Sequence, residues 1–484
     1  MFFSHLKINL FMEENVNKNI KSIVQVLASN ITTIVSGVLV AFILPKIIPV
    51  ESYGLYKTFT LYASYLGLFS FGIIDGIVLQ YGEKDYEDID KLRFRSYFKW
   101  YFSIHAIIAI IIIIIALTVP NKEYMFILIS LAIYMISSNI TGYFQQISQI
   151  TMRFKELSIR KILQSIFNVV IILLMFMAYK ANVELTYHSY LVLWICVNAG
   201  LTIWYVITYK DIVFSDSLPM KETLCDIRKL IIVGFPLLFA NLCSSLILTL
   251  DRQFVNLLFT TSEYAIYAFA YNMLSLVTVA TSAISTVLYP VLKRTNDENL
   301  TENYDTLISI LLCFVFAAMV VYFPLSLFIK GFLPKYVDSI AIFRIIFPGL
   351  AISSTITVIM HNYYKVFGDN LLFFRKSIVV LIISAIANYV AYILFKATKS
   401  ISYASILTMI FWYVYVEQYF VERCGYKRNR NLGFILIMSL SFYIVSYAFN
   451  EIIGGILYCV ILCVGIALFY QDRIGDIKSI VAKK

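Results

Sequence analysis

The sequence predicts an all-α integral membrane protein of about fourteen transmembrane helices, built as two six-helix lobes in parallel repeat followed by two more helices. Three observations predict it. The chain of 484 residues is 60% hydrophobic and only 14% charged, with a mean hydropathy of +0.81; a soluble domain of that composition would have to leave its surface apolar as well. The apolar residues are gathered into runs, many of them longer than the ~20 residues that cross ~30 Å of hydrocarbon as a helix. The 39 Lys and Arg residues fall mainly between those runs, so the net charge of +10 reflects membrane topology rather than nucleic-acid binding.

Taken in order, the runs predict spans at about 22–47, 54–82, 97–119, 122–150, 157–180, 186–209, 229–259, 262–291, 304–330, 337–367, 371–396, 400–422, 432–449 and 451–470. An even number places both termini on one side. With the N-terminus inside, 29 Lys/Arg lie in inner segments against 8 in outer ones, which predicts that both termini are cytoplasmic. Met1–Val16 lacks the ordered charged, apolar and small-residue regions of a signal peptide.

All outer loops are short. The longest inner gap runs over Lys210–Arg228, where Asp216, Ser217 and Pro219 precede MKETLCDIRKL, a pattern that predicts a short amphipathic helix on the membrane surface. The expected organisation is therefore an N-terminal lobe at 1–210, a cytoplasmic linker at 211–228, a C-terminal lobe at 229–422 and two additional spans at 432–470. A shift of 211 residues lays Leu27, Asn30, Tyr53 and Tyr56 on Leu238, Asn241, Tyr264 and Tyr267. The repeat spans six helices, so its two copies share one orientation.

The segment Ile231–Arg294 holds two long apolar runs joined by Thr260–Glu263. Inside the first sit Asp251 and Arg252, ~10 Å from its outer end. Ionisable groups at membrane depth are costly and face a protein interior or a watery cavity. Two accounts compete: a structural ion pair that snorkels outward, and a polar patch on a substrate path.

The segment AFILPKIIPVESYGLYKTFTLYASYLGLFSFGIIDGIVLQYG carries Leu44-Pro45, Tyr53-Gly54-Leu55-Tyr56, and Gly72 and Gly76 deep in the second span. It resembles the N-terminal signature of Wzx-like polysaccharide repeat-unit flippases of the multidrug/oligosaccharidyl-lipid/polysaccharide exporter superfamily. Gly234-Phe235-Pro236, Leu250-Asp251-Arg252 and Glu263-Tyr264 are similar to the second-half signature of that family. Ala265 and Gln80 depart from its pattern. The resemblance implies translocation of undecaprenyl-diphosphate-linked oligosaccharide across the bacterial cytoplasmic membrane, for O-antigen or capsule synthesis. It also implies alternating access of two lobes around a central cavity. Such a head group needs a hydrated, cationic path, and the planar fork of arginine suits a diphosphate.

The candidate substrate-binding residues are accordingly Arg252, Asp251, Asn30, Asn241, Tyr53 and Tyr264. Asp75, between Gly72 and Gly76 and ~13 Å from the inner end of its span, is the candidate for coupling or gating, with H+ or Na+ as the ion. Each has an ordinary competitor. Membrane asparagines are commonly interhelical hydrogen-bond glue, tyrosines near span ends form an aromatic belt, and the glycines permit close helix approach. Arg344 lies near enough to the outer end of its span to snorkel.

No metal site is expected: His105 and His361 have no neighbouring ligand set, and the seven cysteines show no CxxC and read as small core hydrophobes. Asp88-Ile89-Asp90 has a D-x-D spacing, but a short inner loop without a βαβ pattern is no nucleotide-sugar site. No cofactor is expected, and no phosphate-binding GxxxxGK[ST] or GxSxG motif occurs. The partners expected are membrane lipid and the lipid-linked oligosaccharide. Two rival functions remain: a cation-coupled multidrug exporter of the same superfamily, and an integral-membrane polymerase or ligase, which the short outer loops disfavour.

Overall fold

The computed structural model describes residues 29–82, 85–293, 295, 297–425 and 429–471; the expectations placed on Met1–Val16 and on the first residues of span one lie outside them. Every regular element among these residues is helical. In chain order they are α1 (Ser29–Ile47), α2 (Val50–Ala63), α3 (Ile73–Tyr81), α4 (Lys91–Thr118), α5 (Lys122–Ile150), α6 (Phe154–Lys180), α7 (Tyr187–Thr208), α8 (Met220–Leu258) and α9 (Thr261–Lys293). There follow α10 (Asp297–Ala318), α11 (Tyr322–Phe332), α12 (Ser339–Ile346), α13 (Gly349–Ser354), α14 (His361–Val366), α15 (Asn370–Phe395), α16 (Thr398–Cys424), α17 (Asn429–Ala448) and α18 (Glu451–Tyr470).

The chain is a multi-pass, all-α membrane protein. Among the described residues, 10 helices are long and apolar enough to cross a membrane, or 12 if each of two bent pairs is one span. The expectation of fourteen exceeds that number by two. The stretches at 262–291 and 400–422 are indeed helices, of 33 and 27 residues.

The bent pairs have physical causes. Between α2 and α3 the chain passes through a 3-10 turn, then Phe71 and Gly72 at φ 51° and 81°, and the axis bends by 54°. Asn139 on α5 donates to the freed Leu66 carbonyl at 3.1 Å, so the break is satisfied inside the membrane. Between α12 and α13 the axis bends by 46° at Pro348, which has no N–H to continue the ladder. A π-helical turn, Thr355–Met360, then leads into α14.

The chain forms two compact units, residues 1–239 and 240–484, divided within α8. In unit 1 an aromatic core joins α3, α4, α5 and α7, with Phe144 stacked on Tyr205 and Tyr209 at ring separations of 5.9 and 5.3 Å. The separate amphipathic surface helix expected at MKETLCDIRKL does not form. Those residues are the first turns of α8: Ile227 and Leu230 are buried in that same core, and the helix runs on through Pro236. The connection between α7 and α8 is tied down beside it. Arg95 donates to the Asp211 carbonyl at 2.8 Å, Lys99 to that of Ser215 at 2.9 Å, and the Leu218 N–H to Ser96 Oγ at 2.7 Å.

In unit 2 the hairpin α17–α18 is fastened to α10 and α11. Arg430 pairs with Asp305, Asn431 Nδ2 donates to Asp305 at 2.8 Å, and Lys330 pairs with Glu451 at the other end. The Tyr458 hydroxyl donates to the Phe316 carbonyl at 3.1 Å. Of the seven free cysteines only Cys243 is buried; Cys196, Cys225, Cys459 and Cys463 lie on the outer faces of their helices, which corrects their assignment to the core.

Candidate functional site

A polar stripe on α8 builds one wall of a cavity in unit 2. Ser245, Thr249 and Arg252 recur at i, i+4 and i+7, and on α9 Tyr271, Ser275 and Thr278 repeat that spacing, so each set shares one helix face. The two faces, with Ser353 on α13 and Ser405 on α16, line a cavity of about 320 Å³ whose remaining walls are apolar. That is the lower end of small-molecule pockets, about 300–1,000 Å³.

Asp251 and Arg252 take different surroundings. Asp251 is only 2% exposed. One carboxylate oxygen accepts from Tyr267 at 2.7 Å and from Tyr271, and the other accepts the backbone N–H of Arg252 at 2.7 Å. The Arg252 guanidinium turns to the cavity instead, where it donates to the Leu248 carbonyl at 3.0 Å and lies 4.5 Å from the centre of the Tyr271 ring. The two side chains form no ion pair with each other among the described residues. The Arg252 Nε–H is buried and has no acceptor. Arg252 is the charged residue among those lining this cavity.

The hydroxyls around it are directed along their own helices: Thr249 to the Ser245 carbonyl at 2.9 Å, Ser275 to that of Asn272 at 2.6 Å, and Thr278 to that of Ser275 at 2.9 Å. In that state the Ser275 and Thr278 oxygens can still accept from sugar hydroxyls, and rotation about the C–O bond converts them to donors. A positive fork, acceptor hydroxyls and apolar walls suit part of an anionic, hydroxyl-bearing ligand.

The other predicted residues lie elsewhere. Tyr53 and Tyr264 are 1% and 2% exposed and are packed inside their units. Asn30 and Asn241 are exposed, on α1 and α8. None of the four lines the cavity. Asp75 is half-buried in the first turn of α3 in unit 1, where the helix dipole favours a carboxylate. Asn198 and Asn388 are hydrogen-bonded as expected of interhelical polar groups: Asn198 accepts from Gln164 at 2.8 Å, and Asn388 accepts from Ser405 at 3.4 Å. Arg344 donates to the Tyr322 hydroxyl at 3.0 Å and lies over Tyr447. Asp90 caps α4 by accepting from the N–H groups of Leu92 and Arg93; the D-x-D spacing is a helix start. Ser245, Thr249, Ser275 and Thr278 were missed in the sequence, although the i, i+4, i+7 spacing about Arg252 and Tyr271 was the signal for them.

The fold and this cavity define a class: polytopic helical membrane proteins with a polar, cationic hollow between transmembrane helices. Residues 20–296 match the family described as polysaccharide biosynthesis protein, and the chain belongs to that family. No curated protein sequence matches the chain. Among solved structures, the lipid II flippase MurJ in an inward-closed conformation is similar with a TM-score of 0.70 at 15% identity, over 94% of this chain and 100% of that one. A multidrug resistance MATE family transporter of the MOP superfamily, inward-facing, has a TM-score of 0.55 at 13% identity, over 82% and 94% of the two chains. A MOP superfamily transporter from Pyrococcus furiosus gives 0.50 at 13%, over 84% and 96%. At these identities the likeness is one of fold.

Proposed function

We propose that the protein is a flippase that moves undecaprenyl-diphosphate-linked oligosaccharide repeat units across the bacterial cytoplasmic membrane by alternating access, for O-antigen or capsule synthesis. Both termini lie in the cytoplasm, and no covalent chemistry is performed. The family, and a fold shared with a lipid II flippase, support a lipid-linked substrate. The observation that carries the proposal is Arg252: a guanidinium at membrane depth that lines a hydroxyl-bearing cavity and keeps one buried N–H without an acceptor. A diphosphate or a sugar phosphate satisfies it, and the cavity takes part of the head group rather than a whole repeat unit. The Tyr267 and Tyr271 hydroxyls occupy Asp251, which leaves Arg252 unopposed by a direct carboxylate contact. An H+ or Na+ gradient would supply direction, with Asp75 as the candidate coupling residue.

The test is polysaccharide at the surface of a flippase-deficient strain expressing Arg252→Ala or Arg252→Lys, with membrane abundance measured in parallel. Arg252→Ala should lose export at normal abundance, and Arg252→Lys should keep part of it, since charge survives without the bidentate fork. Full export by Arg252→Ala would remove the cavity from the mechanism. The MATE-like fold favours one second reading, a cation-coupled multidrug exporter. Drug resistance conferred on a sensitised strain that gains no surface polysaccharide would select it.

A further inference from the structure

Unit 1 holds a histidine that the transport reading leaves without a role. His105 lies in α4, ~21 Å along the helix from Lys91, and both it and Tyr101 are 0% exposed. The His105 Nδ1 is 2.7 Å from the Tyr101 carbonyl oxygen, one turn earlier. A carbonyl only accepts, so Nδ1 carries the proton and the neutral ring holds its lone pair on Nε2. Neither Nε2 nor the Tyr101 hydroxyl has a hydrogen-bond partner. The two rings are 4.2 Å apart. Fully buried polar atoms without partners are rare in native proteins, and two on adjacent turns call for a physical reason.

The neighbouring groups are already engaged. Tyr97, on the same helix, shares a hydrogen bond with Tyr81 at 3.0 Å. Tyr143, from α5, stacks on Tyr101 at 5.6 Å and donates to the Phe94 carbonyl at 3.1 Å. From α3, the Asp75 carboxylate is near enough to act electrostatically on Tyr101. Asp75 is half-buried and sits just past the break at Phe71–Gly72.

We propose that His105, with Tyr101 and Asp75, forms an intramembrane proton-binding site that couples proton movement to the transport cycle. The proposal rests on the transport reading for its purpose, but not for its chemistry. One N–H bond forms at Nε2, the imidazole becomes a cation, and the proton returns to water by the same route or its opposite. The Asp75 carboxylate acts on the pair through Tyr101, whose unpartnered hydroxyl is the group available to pass the proton. Nothing is oxidised or reduced.

The first experiment needs no transport assay. The full chain, with His5, His188 and His361 replaced by Gln, is reconstituted in liposomes with 15N-labelled histidine. Nitrogen chemical shifts are then followed from about pH 5 to 9, the range spanning ordinary histidine titration. His105 should pass from the Nδ1–H tautomer to the doubly protonated ring, and Asp75→Asn should move that transition to lower pH. A bare Nε2 throughout the range overturns the proposal.

The second experiment measures movement of a fluorophore-bearing polyprenyl-diphosphate disaccharide across proteoliposomes, with and without an imposed pH gradient. The gradient should accelerate the wild type, and His105→Gln or Tyr101→Phe should bring the rate down to that without a gradient. Tyr101→Phe keeps the ring that packs the core, which separates proton handling from misfolding. A wild type indifferent to the gradient, or a His105→Gln variant as responsive as wild type, overturns the coupling. A wild type that moves no probe under either condition sinks the flippase reading instead, and the nitrogen shifts then decide the proton site by themselves.

Discussion

A Cβ on Gly234 would sit 1.9 Å from the carbonyl oxygen of Gly72. Gly72 and Gly76 on one side and the Leu230–Phe235 backbone on the other form a helix contact that admits no side chain, since a Cβ on Gly76 would meet the Leu230 oxygen at 2.3 Å. Both obstacles are backbone, which cannot rotate away. Gly234→Ala should therefore destabilise the protein by about 1–3 kcal/mol, as overpacking does, and Gly72→Ala by more, because its φ of 81° adds backbone strain. Gly200→Ala, with open space around it, is the control. Thermal unfolding in detergent distinguishes them; equal stability of Gly234→Ala and Gly200→Ala would contradict the contact.

Asp251 gives the second prediction. Its burial and three donors make it an acceptor for the Tyr267 and Tyr271 hydroxyls, not the partner of the Arg252 guanidinium. Replacing the carboxylate by Asp251→Ala strands two buried hydroxyls, at about 1–3 kcal/mol for each unsatisfied group. Abundance should fall for Asp251→Ala and stay normal for Arg252→Ala. The exchange Asp251→Arg with Arg252→Asp should fail like Asp251→Ala, since a guanidinium at 251 faces tyrosines and no carboxylate. Rescue of abundance by the exchange would instead reveal an ion pair.

Much of this was legible before any coordinates. Span positions follow from apolar runs, and the close approach at Gly72 and Gly76 follows from their depth. That Gly234 is their counterpart was not legible, because the contact depends on where α8 crosses α3. The break at Phe71 was hidden too: a phenylalanine at φ 51° is stabilised by its surroundings, including the Asn139 bond to Leu66. The sequence presented Asp251 and Arg252 as neighbours, yet adjacent residues point ~100° apart on a helix. That geometry sends one to the tyrosines and the other to the cavity. Tyr53, Tyr264, Asn30 and Asn241 were chosen by their recurrence at a 211-residue shift, and recurrence registers packing as readily as function.

The α7–α8 connection of unit 1 should respond to acid. Burial opposes the Asp211 carboxylate, but the Tyr86 hydroxyl at 2.7 Å and the Lys91 ammonium at 3.0 Å outweigh it and hold its pKa below the usual carboxylate value. A lowered folded pKa stabilises the fold at pH above the unfolded value, and that contribution disappears as pH falls through the folded one. Wild type should thus lose melting temperature below about pH 4, the unperturbed carboxylate range, and Asp211→Asn should lose less over the same interval. Parallel acid limbs for the two proteins would rule out this contribution.

Orientation is open to a direct check. Glu87, on the α3–α4 connection, and Ser262, in the first turn of α9, are both exposed and are assigned to opposite sides of the membrane. On a cysteine-free background, an impermeant thiol reagent added to intact cells should label Ser262→Cys and spare Glu87→Cys. The reverse pattern would invert the topology.

The fastening of α17–α18 to α10 sets an order of events during synthesis. Asp305 and Arg430 are 125 residues apart, so α10 enters the membrane well before its partner has been translated. At 5–20 residues per second the interval is roughly 6–25 s. Unit 2 must spend that time with one flank uncovered, and the last two helices to leave the ribosome close it. Chain-terminating lesions anywhere before Arg430 should then be read by quality control as an unfinished protein, even when every residue of the Arg252 cavity has already been made.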